Sequence, residues 1–204
     1  MSGAPDGRIA NVAGAVLLGG ASRRMGSDKA RRPFDGVAAA TRASRLLAAH
    51  FEDVLLVGGD PPPDAIGRRV DDVAGPRCAL RGLVAALEAA RADRVLVVAT
   101  DLPRLTPALV LALVAWPAAD VVVPRRAGRL EPLCALWSRE RAGAAARSNL
   151  EAGALALHAL VDRLDARFLE GADLDAVDPD GTALANANTP EAWSALEASL
   201  HEVR

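Results

Sequence analysis

The chain has 204 residues, of which 51% are apolar and 3% aromatic, and its formal net charge is −2 at pH 7. This length favours one domain, whose core must be built from Ala, Val and Leu because aromatic residues are so few. The charge excludes the broad basic surface that nucleic-acid binding requires. Nucleic acid is therefore not expected as a partner. No apolar run approaches the roughly 18 residues of a membrane span, so a membrane is not expected as a partner either.

The first residues and the two cysteines bear on organisation and compartment. Residues 1–11 are polar, contain Gly, Pro and Asp, and lack the apolar stretch of a signal peptide. We therefore expect a disordered leader over 1–11 and a single domain over 12–204. Cys78 and Cys134 form no Cys-x-x-Cys pair and have no histidine nearby. This favours two reduced thiols in a cytoplasmic protein over a zinc site or a disulfide.

Up to Pro124, short apolar runs alternate with amphipathic or alanine-rich stretches. The apolar runs predict strands at Val12–Leu18, Asp53–Val57, Arg68–Asp71, Arg94–Ala99 and Asp120–Val123. The stretches between them predict helices at Ala38–His50, Ala79–Ala90 and Pro107–Trp116. Thr106 is the expected cap of the last of these, with Pro107 at its first position. Such alternation predicts an α/β fold with a mostly parallel sheet covered on both faces.

After Pro124 the pattern changes. Residues 125–129 predict a turn, and Glu131–Trp137 is a further strand-like segment. Helices are expected near Arg139–Asn149 and Leu155–Leu164, followed by a Gly/Asp-rich region over 171–181. A last helix is expected to begin at Thr189–Pro190. No internal repeat and no second domain boundary is visible.

The loop that follows the first strand carries the strongest functional signal. Gly19, Gly20 and Gly26 let the backbone turn tightly and approach a ligand closely. Hydroxyl and cationic donors suited to phosphate oxygens follow them, namely Ser22, Arg23, Arg24 and Lys29. A glycine-rich loop with these donors, placed directly after a buried strand, predicts a phosphate-binding loop.

This loop is of neither common type. Ser27 and Asp28 separate Gly26 from Lys29, which excludes a Walker loop, and Gly19-Gly20-Ala21 does not fit the dinucleotide fingerprint. The stretch instead resembles the signature Leu-x-Gly-Gly-x-Ser-x-Arg-Met-Gly-x-Asp-Lys of the molybdenum cofactor guanylyltransferase family. Members of that family make molybdopterin guanine dinucleotide, and the match is nearly complete.

Asp101 follows the most apolar strand. A carboxylate at the carboxyl end of a buried parallel strand lies where open α/β sheets bind ligands, and in the doubly wound order the first and fourth strands are neighbours there. Asp101 would then face the Gly19–Lys29 loop and could hold Mg²⁺ beside a triphosphate. A turn-forming or helix-preceding Asp is the alternative. Because the segment 100–103 resembles the family's Asp-x-Pro metal site, the metal-binding interpretation is favoured.

Asp71 and Asp72 close the third strand. A carboxylate accepts two parallel hydrogen bonds, and guanine offers the N1–H and N2–H donors that adenine and cytosine do not present together. The family has an Asp at this place, and Asp72 matches it best, whereas Asp71 is equally well explained as a solvated turn residue. The following segment, Gly75 to Gly82, is similar to the family's Gly-Pro-Leu-Ala-Gly but longer by a few residues.

Two later segments extend the resemblance to about Trp193. Residues 131–137 resemble the family's Glu-Pro-Leu-x-Ala-Leu-aromatic segment, and residues 186–191 resemble its Asn-x-Asn-Thr-Pro-Glu motif. Asn186 and Asn188 would position the pterin phosphate, or else satisfy turn backbone, and Glu131 is grouped with them.

The resemblance implies a three-layer α/β/α, Rossmann-like nucleotidyltransferase fold and transfer of GMP from GTP to molybdopterin with Mg²⁺. The residues implied as catalytic are Lys29, Asp101 and Arg24, with Asp101 as the metal ligand. Those implied in GTP binding are Leu17, Leu18, Gly19, Gly20, Lys29, Asp72 and Asp101. A molybdoenzyme or cofactor-handling protein is a further implied partner. The alternatives are a molybdopterin cytidylyltransferase, a sugar-phosphate nucleotidyltransferase and a non-catalytic nucleotide-binding module.

Overall fold

The computed structural model describes residues 7–19 and 29–201, with the backbone alone for Lys29 and His201. The strands are β1 (Val12–Leu17), β2 (Pro33–Phe34), β3 (Val37–Ala38), β4 (Val54–Val57), β5 (Arg68–Val70), β6 (Arg94–Ala99), β7 (Val121–Arg126), β8 (Arg129–Leu130), β9 (Cys134–Ser138) and β10 (Ala166–Glu170). The helices are α1 (Ala39–Ala48), α2 (Ala79–Ala89), α3 (Pro107–Ala115), α4 (Arg141–Glu151), α5 (Leu157–Val161), α6 (Gly171–Asp175) and α7 (Pro190–His201). A short 3-10 turn spans Lys29–Arg31.

The central sheet has the order β10-β7-β9-β6-β1-β4-β5, with β8 paired to β7. Strand β9 runs antiparallel to β6 and β7, while β1 is parallel to both of its neighbours. All six residues of β1 are buried, as expected for a parallel strand covered on both faces. The mostly parallel α/β sheet is confirmed, and so is the adjacency of the first and fourth predicted strands, β1 and β6.

Helices cover both faces of this sheet. The apolar side chains of α2, α4 and α5 pack into one core, and those of α1, α3 and α6 into another. The predicted cap of α3 is present, because the Thr106 hydroxyl accepts a hydrogen bond from the Leu109 N–H at 3.3 Å. Helix α1 packs tightly on Gly14 of β1, where an added Cβ would lie 2.9 Å from Leu47 Cβ. The three-layer arrangement expected from the resemblance is therefore present.

The structure corrects several predicted bounds. Strand β7 continues to Arg126 because it forms a hairpin with β8, and β9 begins at Cys134 rather than Glu131. Helices α4 and α5 begin two residues later than expected. Strands β2, β3, β8 and β10 and helix α6 are not among the predicted elements. Strands β2, β3 and β8 have two residues each, and the edge strand β10 has only three apolar residues beside Arg167 and Glu170.

A small third cluster joins distant parts of the chain. The rings of Phe34 and Trp193 meet edge to face with centroids 5.5 Å apart, and the Trp193 indole N–H donates to the Pro33 carbonyl at 2.8 Å. Helix α7 is thereby fixed to the β2–β3 hairpin that follows the 3-10 turn at Lys29. The segment preceding α7 is held on the same side of the molecule.

Two further observations concern the ends of the chain and membrane association. Residues 1–6 of the expected leader lie outside the described residues, and residues 7–11 are described. Within this described part, the Ile9 N–H donates to the His50 carbonyl at 2.9 Å. Within the ranges 7–19 and 29–201, no helix has the length and apolar character needed to cross a membrane.

Candidate active site

A cavity of about 530 Å³ opens at the carboxyl ends of β1, β4 and β6. Its lining comes from the chain that leaves these strands, from the segment after β5, and from the first turn of α2. The lining residues are Leu17, Leu18, Gly19, Val57, Gly59, Asp72, Arg77, Cys78, Ala79, Arg81, Gly82, Ala99, Thr100, Asp101, Leu133 and Asn188. This is the edge at which open α/β sheets bind ligands, and the volume is within the range of small-molecule sites.

Asp101 enters the cavity wall two residues after β6, directly beside the end of β1. Parallel pairing places Leu17 opposite Ala99, so the two strands end at the same level. The Asp101 carbonyl accepts a hydrogen bond from the Ala187 N–H at 2.8 Å. Because this bond ties the segment before α7 to the end of β6, Asn188 also lies in the cavity wall.

Asp72 lies across the cavity and forms an ion pair. Its Oδ2 accepts a hydrogen bond from Arg81 Nη2 at 2.5 Å, and each side chain is 22% exposed. Arg81 Nη1 also donates to the Gly75 carbonyl at 3.1 Å. The neighbouring Asp71 is different, since its side chain is 85% exposed and pairs with Arg69. Asp72 therefore belongs to the cavity lining, and Asp71 does not.

Three glycines surround the Asp72 carboxylate. A Cβ added at Gly58 would lie 2.9 Å from both carboxylate oxygens, a separation at which atoms must shift. Added Cβ atoms at Gly82 and Gly19 would lie 3.5 Å from Oδ1 and 3.6 Å from Oδ2, respectively. Gly58 also has φ of +67°, a conformation that other residues rarely adopt. Gly58 therefore satisfies both requirements of this corner, the turn after β4 and the room for the carboxylate.

Glu131 and Asn186 bind each other. The Asn186 side-chain N–H group donates to both carboxylate oxygens of Glu131 at 3.0 Å, and Arg129 pairs with the same carboxylate at 3.1 Å. Neither residue belongs to the cavity lining. Their contact instead holds the segment that carries Asn188, because it joins that segment to the turn before β9.

Three carboxylates lie near the buried Cys134 thiol beneath the cavity. Burial raises the pKa of the Cys134 thiol, and neighbouring negative charge raises it further. That charge comes from the carboxylates of Glu131, Asp101 and Asp178. Two of these carboxylates, Glu131 and Asp178, are paired with arginines.

The residues present fit a Mg²⁺ ion that shares its ligands with a substrate. Asp101 and Asn188 bring oxygen donors to one cavity, and Mg²⁺ characteristically takes one or two carboxylates together with phosphate oxygens and water. In the part of the chain that the structure describes, no group of three or more His, Cys, Asp and Glu could hold a metal ion. A site completed by substrate phosphates agrees with both observations.

The structure brings together six of the residues predicted from the sequence, in the lining of one cavity: Leu17, Leu18, Gly19, Asp72, Asp101 and Asn188. Glu131 and Asn186 lie behind Asn188. Gly20 and Arg24 lie outside the described residues, and so does the side chain of Lys29.

Sequence reasoning assigned no role to Arg81 or Gly58. The available signal was the position of Arg81 beside Gly82, within a segment that the resemblance had already marked. The sequence does not show that the first turn of α2 packs against the segment that follows β5, which is what brings Arg81 to Asp72.

Comparison with known proteins adds the family. Residues 14–167 match the family model of the MobA-like NTP transferase domain. The chain is 33% identical to a probable molybdenum cofactor guanylyltransferase of Chloroflexus aggregans, covering 93% of this chain and 95% of that protein. It is 32% identical to a molybdenum cofactor guanylyltransferase of Desulfosudis oleivorans, covering 93% and 96%, respectively.

Solved structures share the fold. Molybdopterin-guanine dinucleotide biosynthesis protein A of Archaeoglobus fulgidus superposes with a TM-score of 0.79 at 21% identity, covering 93% of this chain and 99% of that one. The 2-C-methyl-D-erythritol 4-phosphate cytidylyltransferase of Thermus thermophilus gives 0.67 at 17% identity, covering 92% and 98%. At these identities the likeness establishes the three-layer nucleotidyltransferase fold alone.

Proposed function

Because this chain belongs to the MobA-like NTP transferase family and is a nucleotidyltransferase, we propose that it transfers GMP from GTP to the terminal phosphate of molybdopterin. The products are pyrophosphate and molybdopterin guanine dinucleotide. The observation that carries the proposal is that Asp72 and Asp101 line one cavity, at the edge where β1 enters the glycine-rich loop. Asp72 is then available to the nucleobase, and Asp101 to a metal ion that binds the phosphates.

The acceptor needs no general base. A phosphate monoester has a second pKa of about 6 and is mostly dianionic at neutral pH, so an oxygen of the molybdopterin phosphate can attack the α-phosphorus directly. The bond from the α-phosphorus to the bridging oxygen breaks, and pyrophosphate leaves in line. No histidine of the described ranges lines the cavity, which is consistent with a reaction that depends on positioning and charge stabilisation.

The chain's residues divide this work. Asp101 holds Mg²⁺, which supplies positive charge to the phosphates when bound. Lys29 and Arg24 neutralise the pyrophosphate as it leaves. The end of β1 and the following loop, with Leu17, Leu18, Gly19 and Gly20, support the nucleotide. Asp72 selects the base.

The second substrate is positioned from the other side. Asn188 faces the cavity beside Asp101, while Glu131 and Asn186 hold its segment through the two hydrogen bonds at 3.0 Å. In this proposal Asn188 contacts the pterin phosphate, and the Glu131–Asn186 pair keeps it at that place. Removing either partner of the pair is therefore expected to weaken molybdopterin use more than GTP binding.

The test is Mg²⁺-dependent pyrophosphate release from GTP in the presence of molybdopterin, measured for the wild type and Asp101→Asn. We expect kcat to fall about 100-fold, the usual cost of losing one electrostatic stabiliser. Asp71→Asn is the matched control, because it removes a carboxylate whose side chain is 85% exposed and outside the cavity. Unchanged turnover in Asp101→Asn would remove Asp101 from the site.

A further inference from the structure

The Asp72–Arg81 ion pair commits one carboxylate oxygen before any base arrives. Oδ2 accepts from Arg81 Nη2 at 2.5 Å, and a second bond from Nη1 to the Gly75 carbonyl fixes the guanidinium plane. A carboxylate with both oxygens free would accept guanine N1–H and N2–H together. In this chain, guanine N2–H would have to share Oδ2 with the Arg81 guanidinium, which already donates to that oxygen.

The other oxygen of Asp72 remains available. Oδ1 makes no hydrogen bond with a residue in the ranges 7–19 and 29–201, and it is not among their buried, unsatisfied polar atoms. The glycines at positions 58, 82 and 19 leave room for the carboxylate, and the bond from Arg81 to Oδ2 sets its orientation. Asp72 therefore offers the cavity one acceptor in a fixed orientation.

Arg81 offers donors beside that acceptor. A guanidinium has five N–H groups, and within the described part of the chain the side chain of Arg81 uses one from each terminal nitrogen. The residue itself lines the cavity. The wall at this point thus presents an acceptor and a cationic donor next to each other.

This pair matches a particular base edge. Guanine presents O6, an acceptor, beside N1–H, a donor, and hypoxanthine presents the same two groups in the same order. Adenine presents a donor at N6 and an acceptor at N1, the reverse order. We propose that Asp72 and Arg81 act as one recognition unit, in which Arg81 donates to O6 and Asp72 accepts from N1–H. The chain then recognises 6-oxopurine nucleotides as a class, and the 2-amino group of guanine contributes little.

This inference rests on the proposed function for the nucleotide, but its test needs no acceptor substrate. Binding of GTP and ITP to the full chain with Mg²⁺ is measured by calorimetry, since ITP lacks only the 2-amino group. We expect the Kd for ITP to exceed that for GTP by no more than about threefold, because no charged hydrogen bond is lost. A ratio of about tenfold or more in the wild type overturns the inference, because it is what loss of an N2–H bond to a carboxylate produces.

Variants provide a second test. Arg81→Met removes the donor that competes for Oδ2, so N2–H can bind that oxygen alone and the ratio of the ITP and GTP Kd values should rise to about tenfold. Arg81→Lys keeps a cation at Oδ2 and should keep the ratio low. Arg69→Ala is the control, because it removes an exposed arginine that pairs with Asp71 and Asp60 outside the cavity. An identical ratio in wild type and Arg81→Met overturns the inference. Failure of the proposed function is a separate result, namely GTP binding without pyrophosphate release when molybdopterin is added.

Discussion

Gly58→Ala tests the corner that holds Asp72. The new Cβ would lie 2.9 Å from both carboxylate oxygens, and the backbone φ of +67° disfavours any residue other than glycine. The conformational strain alone costs about 1–2 kcal/mol. Relief of the contact requires the Asp72 carboxylate to shift, which displaces the acceptor that we propose for guanine N1–H. A hydrogen bond between guanine N1–H and a carboxylate contributes about 1.5–3 kcal/mol, so losing it should weaken GTP binding by at least about tenfold.

Gly128→Ala is the matched control for this change. Gly128 has φ of +78° and nothing within 4 Å of its added Cβ, so the same strain appears without any contact. Urea denaturation measures the free energy of unfolding of both variants, and calorimetry with Mg²⁺ measures their affinity for GTP. We expect both to lose stability and only Gly58→Ala to lose affinity. Equal GTP affinity in the two variants would refute the assignment of Asp72 to the nucleotide site.

Three further predictions concern the rest of the fold. Gly14→Ala should lower the free energy of unfolding by about 1–3 kcal/mol through overpacking against α1, where Leu47 is 2.9 Å away; denaturation at wild-type stability would contradict the close contact. The hydrogen bond from Arg68 lowers the pKa of Asp53. The ion pair therefore stabilises the fold above the unfolded-state pKa of 3.8, and this stabilisation is lost as the pH falls through the folded-state pKa. The stability difference between wild type and Asp53→Asn, followed by urea denaturation, should therefore shrink below about pH 4, and a constant difference at all pH values would refute this. A thiol reagent should label half-buried Cys78 and spare buried Cys134, whose thiol pKa is raised by burial, and GTP with Mg²⁺ should slow the labelling; peptide mass spectrometry distinguishes the two sites.

The central strands of the sheet could be predicted because they are short apolar runs bounded by polar or turn-forming residues. The run ending at Leu17 and the run ending at Ala99 are buried on both faces, and their order follows from the doubly wound pattern. That order alone brings Asp101 to the end of β1. The bounds of β1, β4, β5 and β6 differ from the predicted ones by at most one residue at each end.

The parts that were missed depend on contacts between distant residues. Strands β2 and β3 are stabilised by the packing of Phe34 on Trp193, 159 positions further along the chain (193 minus 34), and no local pattern announces that contact. The Asp72–Arg81 pair requires knowing how α2 packs beside β5. An arginine near an aspartate in sequence is far more often a solvated surface residue. The choice of Asp72 over Asp71 came from resemblance, and the exposure of the Asp71 side chain gives it a physical reason.

The most direct test of the central claim is a comparison of GTP, CTP and ATP as donors, each with Mg²⁺ and molybdopterin. Pyrophosphate release is measured, and the pterin product is identified by mass. The account predicts turnover with GTP alone among the three and a product with the mass of molybdopterin guanine dinucleotide. Turnover with CTP would contradict the base assignment at Asp72 and Arg81 while keeping the reaction type. Absence of turnover with all three would contradict molybdopterin as the acceptor.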